Sequence, residues 1–202
     1  MNSRKLITTL AIATLLAVSV TAAGCTTNTS PSPTQIGQSI TSTGNNTTIS
    51  SDAGFSITFP NNLKSDTSTN ASEPVRVYIY VTPNNTVNGV VVATYPLQPK
   101  TALNVFVNYN KGQIIMQGYE NYTEISNQST TFAGKPAYNM VWQGTVPVQL
   151  NQTTTRNMTE RVSQTFIING NTGYVITYKT VPSDYDTYLG QAEPIMNSFE
   201  LT

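Results

Sequence analysis

From Gly54 to Thr180, apolar side chains recur at every second position in short runs that end in turn-forming residues. This alternation restricts the chain to a fold built on half-buried strands. Phe55, Ile57 and Phe59 alternate with Ser56 and Thr58 and stop at Pro60-Asn61-Asn62. Val75, Val77, Ile79 and Val81 alternate with Arg76, Tyr78 and Tyr80 and stop before Pro83-Asn84-Asn85. Residues 89–95 read as a third strand, and 130–132 as a short one before the turn Ala133-Gly134-Lys135-Pro136. Residues 137–144, 160–168 and 173–180 supply three more. The last two are joined by Asn169-Gly170-Asn171, a hairpin signal because glycine takes the positive φ of tight two-residue turns.

Two segments carry the helical period instead. Leu103, Phe106, Val107 and Ile114 fall near one face of a helix opening at Thr101, with Gly112 and Gly118 weakening its far end. Tyr185, Tyr188, Leu189, Ala192, Ile195, Met196 and Phe199 form an apolar stripe. Ser183 and Asp186 stand at its start with the spacing of a capping box, and Pro194 predicts a kink or break near Glu193.

The first 25 residues have a different layout: Arg4 and Lys5, an apolar run from Leu6 to Val20, then small residues up to Cys25. That is the arrangement of a secretory signal peptide, expected over residues 1–24. Ala22-Ala23-Gly24-Cys25 resembles a lipobox, which is cut before a cysteine that then carries lipid; Ala22 stands where the pattern has Leu or Val. The alternative is an uncut apolar segment acting as an anchor. Cys25 is the only cysteine, so no disulfide can form within the chain. Residues 25–48, rich in Thr, Asn, Ser and Pro, are expected to form a flexible tether, since they carry too little apolar surface to offset the entropy of ordering. The folded domain is then expected over residues 49–202.

Composition narrows the function classes. Asn and Thr make up about a quarter of the chain and charged residues only 10%, against about 25% in typical soluble proteins. Without Arg4 and Lys5, eight basic residues remain against ten acidic ones, a net charge of −2. No basic run exists to neutralise a string of phosphates, so nucleic acid is not an expected partner. Nine Asn-X-Ser/Thr sequons, at Asn28, Asn45, Asn46, Asn70, Asn84, Asn121, Asn127, Asn151 and Asn157, are candidate glycan sites in an exported chain, although so Asn/Thr-rich a sequence produces sequons by chance.

Gly54-Phe-Ser-Ile-Thr-Phe-Pro60 at the opening, Phe132-Ala-Gly-Lys-Pro-Ala137 in the middle, and Tyr174-Val-Ile-Thr-Tyr178 before a helix ending Ile195-Met-Asn-Ser-Phe199 together resemble the PsbP-like family over about residues 49–202. The resemblance implies an α+β fold, an antiparallel sheet flanked by helices on both faces in an α-β-α sandwich. The best-known members are extrinsic subunits of photosystem II, and similar domains occur on prokaryotic surface lipoproteins. The lipobox and tether place this chain with the latter, on an archaeal surface by expectation.

The chain has no histidine, which removes Ser-His-Asp and Cys-His catalysis and the commonest ligand of zinc, copper and iron. GxGxxG, GxxxxGK and GxSxG patterns are absent. Glu120 with Glu124, and Asp184 with Asp186, are the carboxylate pairs that could be named; a polar loop and a helix start account for them better. No catalytic, cofactor or metal site is therefore expected. Trp142, Tyr174 and Tyr178 could form a binding surface, although aromatic residues on strands more often pack in the core. The expectation is a non-catalytic surface lipoprotein, on the outer face of the cytoplasmic membrane through its lipid, that binds or stabilises an envelope protein. The alternative is a solute- or glycan-binding lipoprotein.

The intact mass of the membrane-bound protein is expected to fit a chain beginning at Cys25 with a diacylglycerol group, and Cys25→Ser to lose that mass. A species retaining Met1 would identify the anchor instead.

Overall fold

The computed structural model describes residues 37–68, 75–81, 88–149 and 155–202. The signal segment, Cys25, and the sequons at Asn28, Asn70, Asn84 and Asn151 lie outside them. The described residues form eleven strands and two α-helices: β1 (Gln38–Thr43), β2 (Asn46–Ser51), β3 (Phe55–Pro60), β4 (Lys64–Ser68), β5 (Arg76–Tyr80), β6 (Gly89–Pro96), α1 (Leu103–Met116), β7 (Glu120–Phe132), β8 (Lys135–Gln149), β9 (Thr155–Asn169), β10 (Thr172–Thr180), α2 (Tyr185–Asn197) and β11 (Glu200–Leu201).

Every pairing is antiparallel. A four-stranded sheet runs β1-β2-β3-β11 and a seven-stranded sheet runs β4-β5-β6-β10-β9-β8-β7. The α-β-α sandwich is thereby corrected. About 60% of the described residues are in strands and 20% in helices, and one face of the large sheet is covered by the second sheet together with α2 rather than by a layer of helices, which leaves α1 alone on the other. The physical reason lies in β2 and β3. Ile49, Phe55, Ile57 and Phe59 face inward as a strand surface and, with α2, cover one side of the large sheet.

The larger core lies at that junction. Val77, Ile79, Val90, Val92, Ile176 and Tyr178 from the large sheet meet Ala192, Ile195 and Phe199 from α2 and its end. Phe55 stacks on Phe199 at 5.6 Å between ring centroids and meets Tyr174 edge-on at 6.2 Å, so one aromatic group ties both sheets to α2. Ser198 adds a polar tie: its Oγ donates to Thr58 O at 2.8 Å and accepts from Thr58 N–H at 2.9 Å. The smaller core sits on the opposite face, where Phe106, Val107 and Ile114 of α1 pack on Met140, Trp142, Val162, Phe166 and Val175.

Further differences from the sequence reading are local. Residues 38–48, assigned to the tether, form β1 and the start of β2. Thr and Ser suit a pleated strand, and the ladder to β3 satisfies their backbone groups. The strand expected at 130–132 is the end of β7, whose polar sequence hides its length; its pairing to β8 shifts register between Glu120 and Thr123 and between Glu124 and Ser126. At α2 no capping box forms, because Ser183 Oγ donates to Asp184 Oδ1 rather than serving the helix. The helix also continues through Pro194 to Asn197.

Ile49 is fully buried whereas Ile40, on β1, is 64% exposed. Ile49→Ala is expected to cost about 2–5 kcal/mol and Ile40→Ala less than about 0.5 kcal/mol, both measured by denaturant unfolding. Equal effects would mean that β2 does not belong to the folded domain.

Candidate functional site

The face of the seven-stranded sheet that carries α1 is only partly covered. Register aligns its side chains in three cross-strand rows. Trp142, Val162 and Lys179 form the first; Gln164, Thr177, Val91 and Tyr78 the second; Phe166, Val175, Ala93 and Arg76 the third. Phe106 anchors α1 over the third row, edge-on to Phe166 at 6.1 Å and to Tyr95 at 5.8 Å. A Cβ on Gly173 would stand 2.5 Å from the Phe106 ring, so only glycine lets the helix seat this closely. From there α1 runs antiparallel to β9, and the chain leaves it to place Tyr119 edge-on against Trp142 at 5.0 Å. Beside the helix, over β10, β6 and β5, remains an open cleft of about 400 Å³, within the size range of small-molecule sites.

Its polar groups converge at three places. At the end of α1, the Glu160 carboxylate is only 3% exposed. It accepts a 2.5 Å hydrogen bond from the Tyr119 hydroxyl on Oε2, and the Lys179 ammonium stands 3.6 Å from Oε1. Burial, and then the charge of Glu160, push the Tyr119 phenol well above the ordinary tyrosine pKa, so it remains a donor. On the floor, Trp142 Nε1–H donates to Gln164 Oε1 at 2.8 Å, which turns the Gln164 amide nitrogen towards Thr177 Oγ1, 3.4 Å away. Gly144 leaves room for this corner: a Cβ there would sit 3.1 Å from the Tyr119 ring and 3.3 Å from Trp142. At the far side, burial raises the Tyr95 pKa and the neighbouring Arg76 partly offsets that rise.

A second charged group lies across α1 from the cleft. Lys111 Nζ is 2.8 Å from Glu124 Oε1, and Glu124 also accepts from Tyr122 at 3.1 Å and Asn127 at 3.0 Å. The Lys111 hydrogen bond holds the Glu124 pKa below its usual value despite partial burial. These contacts fasten α1 to β7.

The sequence-selected residues are separated by the structure. Tyr174 and Tyr178 face the larger core, where their hydroxyls donate to Ala53 O at 2.9 Å and Tyr185 O at 3.0 Å. Trp142 faces the other way and borders the cleft. All three are buried, so they form no common surface and hold the packing role. Asn45, Asn46, Asn121, Asn127 and Asn157 are exposed. Glu120 and Glu124 lie on β7 rather than in a loop. Arg76, Tyr119, Glu160 and Gln164 were not singled out from the sequence. The available signal was a pair of polar residues, Glu160 and Gln164, in phase with Val162, Phe166 and Ile168 on β9.

The architecture defines a class: an antiparallel α+β domain of two sheets, with one sheet face roofed by a single helix beside an open cleft. It is the fold of PsbP. The solution structure of the cyanobacterial PsbP, CyanoP, of Synechocystis sp. PCC 6803 matches with a TM-score of 0.53 at 14% identity, covering 87% of this chain and 98% of that one. At that identity the likeness is one of fold alone. A protein of unknown function from Pseudomonas aeruginosa, PA94, matches with a TM-score of 0.48 at 12% identity, over 71% of this chain and 88% of its own. LpqN of Mycobacterium tuberculosis, described as involved in cell envelope biogenesis, matches with a TM-score of 0.46 at 11% identity, over 83% of this chain and 91% of its own. No family profile matches the sequence, and no curated protein does.

Tyr119→Phe removes a donor from a buried carboxylate and is expected to destabilise the domain by about 1–3 kcal/mol. Since folding raises the Tyr119 pKa, its stabilisation is complete below the ordinary tyrosine value of about 10 and falls as pH rises through it. Wild-type protein is therefore expected to lose stability above that pH more steeply than Tyr119→Phe, as read from denaturant midpoints across a pH series.

Proposed function

We propose that this chain is an exported envelope protein, held by lipid at Cys25 on the outer face of the membrane, whose domain is a non-catalytic binding module that takes a small polar solute in the cleft beside α1. The observation that carries this reading is the cleft itself: a concave space lined by aromatic rings with a few converging polar groups. The signal layout, the lipobox and the Thr/Asn-rich segment support export and anchoring. The absence of catalysis is supported by the chemistry of the lining. Among the described residues the cleft holds one carboxylate, Glu160, engaged by Tyr119 and Lys179, and the sequence has neither a histidine nor a cysteine beyond position 25.

A second reading, binding or stabilising another envelope protein, is favoured by the outward face of α1. Val105, Tyr109 and Met116 line up there with Gly112 between them, all three side chains exposed and Met116 78% so. The opposite face of the same helix is buried through Phe106, Val107 and Ile114. Apolar residues on both sides of a surface helix suit a covered helix better than a solvated one.

Thermal unfolding of the protein across a panel of sugars, amino acids and short peptides separates the two. A cleft ligand at 100 times its dissociation constant is expected to add about 2.7 kcal/mol of stability, and Gln164→Leu to abolish that gain. A panel with no stabilising solute, together with a partner recovered from solubilised membranes by wild type but not by Met116→Lys, would establish the second reading instead.

A further inference from the structure

We infer that the ligand of the cleft is an acidic sugar, a uronate-type monosaccharide or short oligosaccharide, with its carboxylate at Arg76 and its hydroxyls towards the Glu160 end. The inference rests on the reading of the cleft as a ligand site and deepens it.

The lining is rich in side-chain amides. Gln113 on α1 and Gln117 at its end face the cleft; Asn110 beside them donates to Phe106 O at 2.9 Å, and Gln164 on the floor is held in place by Trp142 and Thr177. An amide presents a donor and an acceptor side by side, which matches vicinal hydroxyls that each donate and accept. Tyr78, Tyr95 and Tyr109 stand around the same space, with Tyr109 largely exposed. Aromatic rings beside amides suit a molecule that is apolar on its ring faces and polar at its edges, as a pyranose is.

Other ligand classes find less to hold. The floor is the face of a sheet, and its backbone groups are engaged in the ladders of β5, β6, β10 and β9. A peptide therefore has no free strand edge to extend here. A phosphate is best received at a helix N-terminus, but the α1 residues on the cleft, Tyr109 to Gln117, come from its C-terminal half and end.

The charges decide between neutral and acidic sugars. Glu160 and the negative end of the α1 dipole lie together near Lys179, which balances them. Arg76 stands two strands away on β5 and in the third cross-strand row rather than the first. It makes no ion pair among the described residues. One end of the cleft is thus near neutral and the other carries one surplus positive charge, in a planar group suited to receive a carboxylate on two oxygens.

Trp142 borders the cleft and is the only tryptophan in the chain, so its fluorescence reports on this site. The full chain in detergent is titrated with D-galacturonate and with D-galactose, which differ only in the oxidation of the terminal carbon. Saturable binding of galacturonate, tighter than galactose by about tenfold or more, is expected. Arg76→Gln is expected to bring galacturonate down to the affinity of galactose, weakening galacturonate about tenfold more than galactose. Should that variant fail to fold, the wild-type comparison still decides. Galactose binding as tightly as galacturonate, or a preference untouched by Arg76→Gln, overturns the acidic assignment and leaves the cleft a ligand site. Silence with both sugars, alongside a Gln164→Leu-sensitive response to amino acids or peptides, overturns the sugar assignment alone. Silence with every solute overturns this inference and the ligand-site reading together.

Discussion

Strand β10 serves two environments at once, and its register with β9 and β6 is the constraint on which both depend. Tyr174, Ile176 and Tyr178 enter the larger core, while Val175, Thr177 and Lys179 face α1 and the cleft. A slip of one residue would drive Lys179 into the larger core and set Tyr178 in the cleft. The hairpin fixes the choice. Asn169 pairs with Thr172, and Gly170 takes φ +59° at the first of the two loop positions, as a type II′ turn requires. The site is therefore specified about as strongly as the core, because the same backbone ladder aligns both.

The two faces of the large sheet are finished differently. Towards the small sheet the lining is mostly apolar, with Thr94, Thr165 and Thr180 buried among it, and the aromatic group of Phe55, Tyr174 and Phe199 closes it. Towards α1 a single helix of 14 residues spans part of the face and is held at both ends, by Phe106 on Gly173 and by Tyr119 on Glu160 and Trp142. What it leaves uncovered keeps its polar side chains, and the buried Glu160 carboxylate there has a phenol and an ammonium as partners. The open cleft at this place follows from having a single helix on that face of the sheet.

Much of this was legible in the sequence. The alternations at Phe55–Phe59 and Val75–Val81 and the turn at Gly170 lead directly to strands in the right register, because inward positions there are apolar without exception. Ala133-Gly134 was likewise readable as a turn, and both residues take positive φ. The two-sheet architecture was not legible: the resemblance to a known family implied a single sheet between helices, and the Thr- and Ser-rich β1 and β2 lack the apolar content that marks a strand. β7 was hidden for a related reason. Most of it is exposed, so its composition is that of a loop. The cleft was hidden because its residues come from five strands and a helix, and only pairing brings Arg76, Gln164 and Lys179 to one face.

The exposed β7 has a consequence for the behaviour of the protein in a crowded solution. It is the last strand of the large sheet, 13 residues long, and among the described residues its outer edge meets no other strand. Such an edge invites another chain to add itself and so begin aggregation. The two register shifts and the left-handed Asn121 break the ladder near its start, and Glu120 and Glu124 place carboxylates along that stretch. A neighbouring chain would have to follow an irregular track there, so this end of β7 is poorly shaped for edge-to-edge pairing.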